Sequence, residues 1–383
     1  MSGRNRKKWI YVLLLMGLLG LNGCGSPSSA SVEMSSQAEL VKTGSMELQY
    51  AENFAVDYYE GGYKMLTTLP DEKKYLLVPE GQNVPENLEE DICILQEPLQ
   101  NIYLVASGVM DMFASVDAVD QIRFSGQKQE NWYIQQAKDA MAAGTMVYAG
   151  KYSKPDYELL VSEGCDLAIE NRMITHSPEV VEMLQSFDIP VMIEYSSYEQ
   201  HPLGKVEWVK FFGTLTGKEA EAETAFAEQT EILEKVSNGE KTGKTIAFFY
   251  VTSNGLIQVR QSTDYIPKLI ELAGGRYIFE DLEDSGSGRS TLNMQVEDFY
   301  AGARDADILI YNSSIDGGVT TMDELIGKCN ILKDFKAVQE GQVYCTTNDM
   351  YQQSMAIGYL LQDMHTVLTD ENTENLRYLF PLE

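Results

Sequence analysis

The chain has 383 residues, of which 44% are hydrophobic, and its net charge at neutral pH is −29. This length exceeds what a single hydrophobic core usually supports, so we expect two lobes. Because like charges repel, the strong acidity argues against nucleic acid as a partner and against electrostatic adhesion to anionic lipid.

The first residues have the pattern of a secretory signal. Four basic side chains come first: Arg4, Arg6, Lys7 and Lys8. An apolar run over residues 9–21 follows, and as a helix it would reach only about 20 Å, too short for a stable membrane span. A basic head followed by a short apolar run indicates export from the cytoplasm.

The cleavage region resembles a bacterial lipobox. Residues 21–24 read Leu-Asn-Gly-Cys, with Asn22 where Ala or Ser is more usual. We therefore expect a lipoprotein signal peptide over residues 1–23, a lipidated Cys24 that anchors the protein outside the cell membrane, and a flexible tether over residues 24–45. An uncleaved anchor or an ordinary signal peptide is the alternative.

Residues 46–203 predict an N-terminal α/β lobe. Its first part, residues 46–100, consists of short strand-like runs separated by Pro and Gly, and forms a strand-rich extension. After residue 101, strands alternate with amphipathic helices, which is typical of a parallel sheet with helices on both faces. The predicted strands are 102–105, 146–148, 166–169 and 191–193, and the predicted helices are 110–116, 156–162 and 178–186.

A linking helical segment is predicted over residues 204–238. The string Thr216-Gly217-Lys218-Glu219 has the pattern of a capping box, in which Thr216 and Glu219 satisfy two free amides. The following residues, 219–236, contain no Gly or Pro and many Ala and Glu. We therefore predict one long helix of about 27 Å there.

Residues 239–383 predict a C-terminal α/β lobe, because the alternation of strands and helices resumes. The predicted strands are 246–251, 308–311 and 343–345, and the predicted helices are 265–272, 296–301, 322–327 and 354–368. The sequence as a whole thus predicts an α/β fold in which two lobes are joined by one long helix.

Signatures of an enzyme or of a metal site are missing. Gly243-Lys244-Thr245 resembles the end of a phosphate loop but precedes its strand, and no HExxH or GxSxG motif occurs. The cysteines after Cys24 are widely spaced, which argues against zinc, although a bridge between Cys329 and Cys345 stays open. We expect no catalysis, no cofactor and no bare metal ion.

Four strings carry a family resemblance. They are Pro-Asp-Tyr-Glu-Leu-Leu at 155–160 with Cys-Asp-Leu-Ala-Ile at 165–169, His-Pro-Leu-Gly at 201–204 with Glu-Trp at 207–208, Leu-Ile-Glu-Leu-Ala-Gly-Gly at 269–275, and Val-Glu-Asp-Phe at 296–299 with Ala-Asp-Ile-Leu-Ile at 306–310. In this order they resemble the class III periplasmic binding proteins of ABC importers, over residues 101–351. The resemblance implies a cleft that captures an iron–siderophore complex, haem or a corrinoid such as cobalamin.

The same resemblance implies partners for the protein. In this family an acidic residue on each lobe pairs with arginines of the permease dimer, and a cytoplasmic ATPase drives release of the ligand. Glu158 and Glu297 occupy matching positions in the strings of the two lobes and are the predicted docking residues. The structural alternative is that each carboxylate only stabilises the first turn of its helix.

Ligand contacts are expected from loops that follow the carboxyl ends of strands and face the cleft. Arginines would meet an anionic group of the ligand, and aromatic rings would offer flat faces to a macrocycle or an aromatic chelate. The candidates are Ser107, Trp132, Tyr133, Arg172, Tyr195, Arg260, Arg289 and Tyr351. Surface charge for the arginines and core packing for the aromatic residues are the alternatives.

Two other functions are consistent with the same scaffold. An α/β surface enzyme would need a catalytic constellation, which the sequence lacks. A sensory or adhesion lipoprotein would bind a ligand without a transporter, and permease and ATPase genes beside its own would argue against that function.

Overall fold

Three large β-sheets and the helices around them form the part of the protein that this computed structural model describes, residues 40–282, 290–315 and 318–383. The predicted signal peptide, Cys24 and Arg289 lie outside the described residues. Within the described ranges, no helix is both long enough and apolar enough to cross a membrane.

The first sheet precedes the two lobes. Its strands are β1 (Lys42–Ser45), β2 (Phe54–Tyr59), β3 (Lys64–Thr68), β4 (Lys73–Val78) and β5 (Ile92–Gln96). They pair in chain order, antiparallel except for the parallel pair β4–β5. One face is buried in the main core, where the ring centroid of Phe54 lies 4.9 Å from that of Trp208 and 5.3 Å from that of Phe211.

The second sheet is the centre of the N-terminal lobe. Its strands are β6 (Ile102–Leu104), β7 (Ile122–Ser125), β8 (Val147–Tyr148), β11 (Leu167–Asn171) and β12 (Val191–Glu194). They are all parallel, in the order β12-β11-β6-β7-β8. The helices of this lobe are α1 (Val109–Ser115), α2 (Gln135–Ala143), α3 (Tyr157–Ser162) and α4 (Pro178–Ser186), and a small hairpin joins β9 (Gly150–Lys151) to β10 (Lys154–Pro155).

The third sheet is the centre of the C-terminal lobe. Its strands are β13 (Thr245–Val251), β14 (Ile257–Arg260), β15 (Arg276–Tyr277), β16 (Thr291–Met294), β17 (Ile308–Tyr311), β18 (Val343–Thr346) and β19 (Leu379–Pro381). The helices are α7 (Tyr265–Leu272), α8 (Val296–Ala303), α9 (Met322–Lys328), α10 (Lys336–Gln339) and α11 (Ile357–Leu368). Cys329 and Cys345 are buried on this side of the molecule and form no disulfide.

The C-terminal sheet is mixed, whereas the alternating pattern predicts parallel strands. Strands β13, β17 and β18 are parallel to one another, but β14, β16 and β19 pair antiparallel with their neighbours. The turn between β13 and β14 explains one of these pairs, because Gly255 has a positive φ of 81° and the Thr252 amide donates to Leu256 O at 2.9 Å. A connection this short allows a hairpin but no crossover.

Two helices, not one, link the lobes along the chain. They are α5 (Pro202–Thr216) and α6 (Glu219–Ser237). The prediction of an unbroken helix over 219–236 agrees with α6, while α5 had no separate prediction. Every residue of α5 except Thr216 is buried, which is typical of a helix covered on all sides.

The predicted capping box at the start of α6 is wrong. Thr216 still belongs to α5, and its hydroxyl donates to Phe212 O at 2.7 Å. Gly217 ends α5 with a φ of 69°, the left-handed conformation that glycine adopts at low cost. The Glu219 carboxylate instead accepts a hydrogen bond from Lys64 Nζ in the first sheet, at 2.5 Å.

Both lobe sheets are covered on their two faces. In β13, Ile246 and Phe248 belong to the main core, which also contains α5, α6 and α11, while Ala247 and Phe249 face a second core in the C-terminal lobe. Buried strands of this kind read as continuous apolar runs, as residues 246–251 do.

Candidate ligand-binding site

A cleft lies at the carboxyl ends of three strands of the N-terminal lobe. Strands β6, β11 and β12 are adjacent and parallel, so the loops that follow them meet at one edge of the sheet. Together with the first turn of α5 and the segment between β18 and α11, these loops enclose about 470 Å³. The lining residues are Ala106, Ser107, Gly108, Asn171, Arg172, Met173, Thr175, His176, Glu194, Ser197, Tyr198, Lys205, Tyr351 and Ser354.

The wall in the N-terminal lobe carries a cation on an aromatic face. Arg172 begins the turn that follows β11, and its guanidinium lies 4.5 Å from the ring centroid of Tyr198, which follows β12. Such stacking holds the planar guanidinium in place. Hydroxyl and amide side chains of Ser107, Asn171 and Thr175 complete this wall.

Tyr351 forms the opposite wall, in the C-terminal lobe. Its hydroxyl accepts hydrogen bonds from the Arg260 guanidinium and from Asn312 Nδ2, the latter at 2.7 Å. Arg260 also lies 3.4 Å from the carboxylate of Asp264, the N-cap of α7. Burial raises the pKa of Tyr351 to about 12, so it stays a neutral phenol. With both lone pairs occupied, its own proton is available to a further acceptor.

Hydrogen bonds between the lobes close the cleft beside Tyr351. The amide of Tyr133 donates to Gln352 Oε1 at 2.8 Å, and Gln352 Nε2 donates to Asn131 O at 2.8 Å. The Ser354 hydroxyl donates to Gly108 O at 2.6 Å, and a Cβ on Gly108 would lie only 3.0 Å from Ser354 Oγ. A glycine at position 108 therefore permits the close approach of the two lobes.

Three of the predicted ligand residues line the cleft. They are Ser107, Arg172 and Tyr351. Arg260 lies behind Tyr351 and is 8% exposed, so in this structure it holds the Tyr351 hydroxyl instead of facing the cavity.

The structure places the other predicted residues away from the cavity. Trp132 is 1% exposed, and its indole N–H donates to Ser125 Oγ at 3.0 Å, which allows the whole ring to be buried. Tyr195 is also part of the main core. Tyr133 is exposed but does not belong to the lining, and it contacts the C-terminal lobe through its backbone. For Trp132 and Tyr195 the expectation of a ligand-facing ring is therefore corrected to a packing role.

The sequence reasoning missed Lys205 and Glu194, both of which are buried in the lining. Glu194 ends β12, and its Oε2 accepts hydrogen bonds from the amide and the hydroxyl of Ser196, at 2.8 and 2.5 Å. Burial raises the pKa of the Glu194 carboxyl and lowers the pKa of the Lys205 ammonium. The sequence signal that could have identified Lys205 is a lysine inside the otherwise apolar start of a helix.

The two predicted docking residues lie in equivalent places. Glu158 is in the first turn of α3, which leads into β11, and Glu297 is in the first turn of α8, which leads into β17. Both side chains are exposed. Among the described residues no group of three or more His, Cys, Asp or Glu side chains is placed to hold a metal ion.

A family model described as periplasmic binding protein matches residues 104–350, more than half of the chain. The chain belongs to the periplasmic binding protein family. Proteins of this family and fold are substrate-binding components of ABC transporters. The predicted class III architecture is confirmed, with two α/β lobes and helices between them along the chain.

A curated relative and two solved structures are among the individual proteins to which this chain is similar. An uncharacterized lipoprotein of Methanocaldococcus jannaschii is 24% identical over 397 residues, covering 94% of this chain and 92% of the relative. A periplasmic heme-binding protein of Pseudomonas aeruginosa has a TM-score of 0.58 at 12% identity, covering 74% of this chain and 98% of that one. An ABC-type Fe³⁺-hydroxamate transport system of Saccharomonospora viridis has a TM-score of 0.55 at 16% identity, covering 70% and 93%.

Proposed function

We propose that this binding protein captures an iron complex or a corrinoid in the cleft between its lobes and delivers it to an ABC permease dimer. A ferric siderophore is the first candidate, followed by haem and corrinoids. The observation that carries the proposal is the cleft itself, which is lined by both lobes and by α5. Its volume of about 470 Å³ is within the range of small-molecule sites.

The composition of the cleft suits a chelate with both flat and polar surfaces. Tyr198 and Tyr351 present aromatic rings, and Arg172 and Lys205 supply positive charge in a protein whose net charge is −29. The solved structures named above are described as a heme-binding protein and an Fe³⁺-hydroxamate transport system, which supports the same class of cargo. Substrate capture requires no bond chemistry, so we assign no catalytic residue.

Delivery would use the exposed acids at matching places on the two lobes. A dimeric permease presents two equivalent sites, and a protein with Glu158 and Glu297 on equivalent helix starts can bind both at once. A cytoplasmic ATPase bound to the permease would then drive release of the chelate.

Anchoring through a lipidated Cys24 would keep the binding protein beside its permease, outside the cell membrane. The relative from M. jannaschii is described as a lipoprotein, which supports this location. Cys24→Ala should release the protein from the membrane fraction into the soluble extracytoplasmic fraction. Retention of that variant in the membrane fraction would contradict lipid anchoring at this position.

The proposal is tested by calorimetric titration of the purified protein with a ferric tris-catecholate, a ferric trihydroxamate, haemin and cobalamin. We expect at least one to bind with a dissociation constant at or below about 1 µM, or about −8 kcal/mol. Ser107→Trp, which fills the cleft, should weaken that binding at least tenfold, whereas Thr224→Trp on the exposed face of α6 should not. Absence of binding to every probe would overturn the proposed function.

A further inference from the structure

Lys205 is a buried cation at the point where the linking helices meet the cleft. It lies in the first turn of α5, its exposed fraction is 5%, and it belongs to the cavity lining. Two other charged residues of α5 are buried, and both have partners. Glu207 accepts the amide of Ala51 at 2.9 Å, and Lys210 Nζ lies 3.1 Å from a carboxylate oxygen of Glu223.

Lys205 has no comparable partner within the described residues. Its Nζ lies 4.6 Å from the ring centroid of Tyr265, and no described carboxylate oxygen comes within 4.0 Å of it. Among the described lining residues Glu194 is the one acid, and its Oε2 is already hydrogen-bonded to Ser196. A buried ammonium with no carboxylate oxygen at salt-bridge distance is unfavourable, so the contacts of the described residues do not account for Lys205 at this position.

A second donor faces the same cavity from the opposite lobe. The Tyr351 hydroxyl accepts hydrogen bonds from Arg260 and from Asn312, which leaves its own proton for a further acceptor. Burial lowers the pKa of the Lys205 ammonium and Arg260 adds to that shift, while the carboxylates of Glu194 and Asp264 oppose it. An ammonium and a phenol O–H that line one cavity together favour an oxygen anion.

We propose that Lys205 and Tyr351, which both line the cleft, form an oxyanion site that recognises a carboxylate or catecholate oxygen of the cargo. This inference rests on the proposed function. It specifies the cargo as an anionic iron chelate and not a neutral one. Lys205 belongs to a linking helix. The site would therefore bind the cargo at a position that both lobes border.

The test compares matched probes on the full-length protein. A ferric tris-catecholate carries a charge of −3, whereas a ferric trihydroxamate of similar size is neutral. Calorimetric titration should show that the wild-type protein prefers the anionic chelate. Lys205→Met should weaken binding of the anionic chelate at least tenfold and change binding of the neutral one less than twofold. Lys205→Arg should retain the preference, and the exposed Lys333→Met should leave both affinities unchanged.

Thermal unfolding separates this role from a structural one. Lys205→Met removes a buried charge that has no direct ion pair among the described residues, so its melting temperature without ligand should equal or exceed that of the wild-type protein. Citrate without iron should raise the melting temperature of the wild-type protein but not that of Lys205→Met. The inference is overturned if Lys205→Met binds the anionic chelate normally, loses both chelates equally, or unfolds at a lower temperature.

The two proposals fail in different ways. If the wild-type protein binds no chelate but citrate still stabilises it through Lys205, the proposed function falls and the oxyanion site stands. If the protein binds chelates without any effect of Lys205, the site falls and the proposed function stands. Lack of both chelate binding and citrate stabilisation overturns both.

Discussion

Asp166 and Asp307 have the same structural role in the two lobes. Each residue directly precedes a central strand, β11 or β17, and its carboxylate accepts amides at the start of the neighbouring strand. Asp166 Oδ2 lies 2.8 Å from the amide nitrogens of Gln100 and Asn101, and Asp307 Oδ2 lies 2.7 Å from that of Thr245. The helix–strand units α3–β11 and α8–β17 are therefore fixed in their sheets in the same way.

Because the two units are equivalent, we expect Glu158 and Glu297, at the starts of α3 and α8, to have the same role in docking on the permease. We expect the double substitution Glu158→Ala with Glu297→Ala to reduce cellular uptake of the chelate at least tenfold, because two contacts with the permease are lost. The dissociation constant for the chelate should stay within twofold. Glu182→Ala with Glu371→Ala, also exposed acids, serves as the matched control. Normal uptake by the first variant would refute the docking role.

Glu207 binds the segment between β1 and β2 of the first sheet to α5. Its carboxylate is completely buried and accepts the amides of residues 49–51 at 2.8–3.1 Å. Glu207→Ala should lower the free energy of unfolding by about 3 kcal/mol, because it leaves the amides of residues 49–51 without their acceptor and removes one of the two carboxylates beside Lys210. Urea unfolding measures this. The Glu223 carboxylate also contacts Lys210 but is 60% exposed, so Glu223→Ala should lower the free energy of unfolding by less than about 1 kcal/mol. Equal losses of stability in the two variants would contradict the role assigned to Glu207.

Asp111 joins the lobes and makes stability depend on pH. Its Oδ2 accepts the amide of Met355 at 2.7 Å, and burial raises its pKa to about 6, while that hydrogen bond, Arg377 and Lys205 oppose the shift. Since the folded state holds the proton to higher pH than the unfolded state, this group lowers stability as pH rises from about 4 to about 6. Relative to wild type, Asp111→Asn should therefore gain about 2 kcal/mol between pH 4 and pH 7. Parallel pH profiles of the two proteins would contradict this.

Glu170 is a second buried acid, on β11, and neither carboxylate oxygen has a hydrogen-bond partner among the residues that the structure describes. Burial raises its pKa to about 8, so the wild-type protein should lose stability as pH rises from about 4.5 to about 8. Glu170→Met, which fills a similar volume, should increase the free energy of unfolding at pH 8 by about 2 kcal/mol. Chemical unfolding across this pH range is the measurement, with the exposed Glu182→Met as control. A destabilised Glu170→Met variant would be the contrary result.

Helices and strands that have a strong local sequence pattern were predicted correctly. The run of Ala and Glu over residues 219–236 corresponds to α6, because a long segment without Gly or Pro favours helix whatever surrounds it. The capping box failed because Thr216 completes the preceding helix, a competition that the four-residue pattern does not contain. Trp132 was predicted to contact the ligand because an aromatic side chain in a loop can point either into the cleft or into the core. Its burial depends on the hydrogen bond to Ser125 Oγ, which forms only in the folded protein.

The sequence by itself determined the alternation of strands and helices, the two-lobed α/β class and the family, because these depend on periodicity and on contiguous strings of residues. Only the tertiary structure decided which side chains meet. Lys205 and Tyr351 are far apart in the chain, and they line one cavity only because the linking helices and the segment before α11 converge there. Burial, pairing and the resulting pKa shifts arise between distant parts of the chain, and a local pattern carries no information about them.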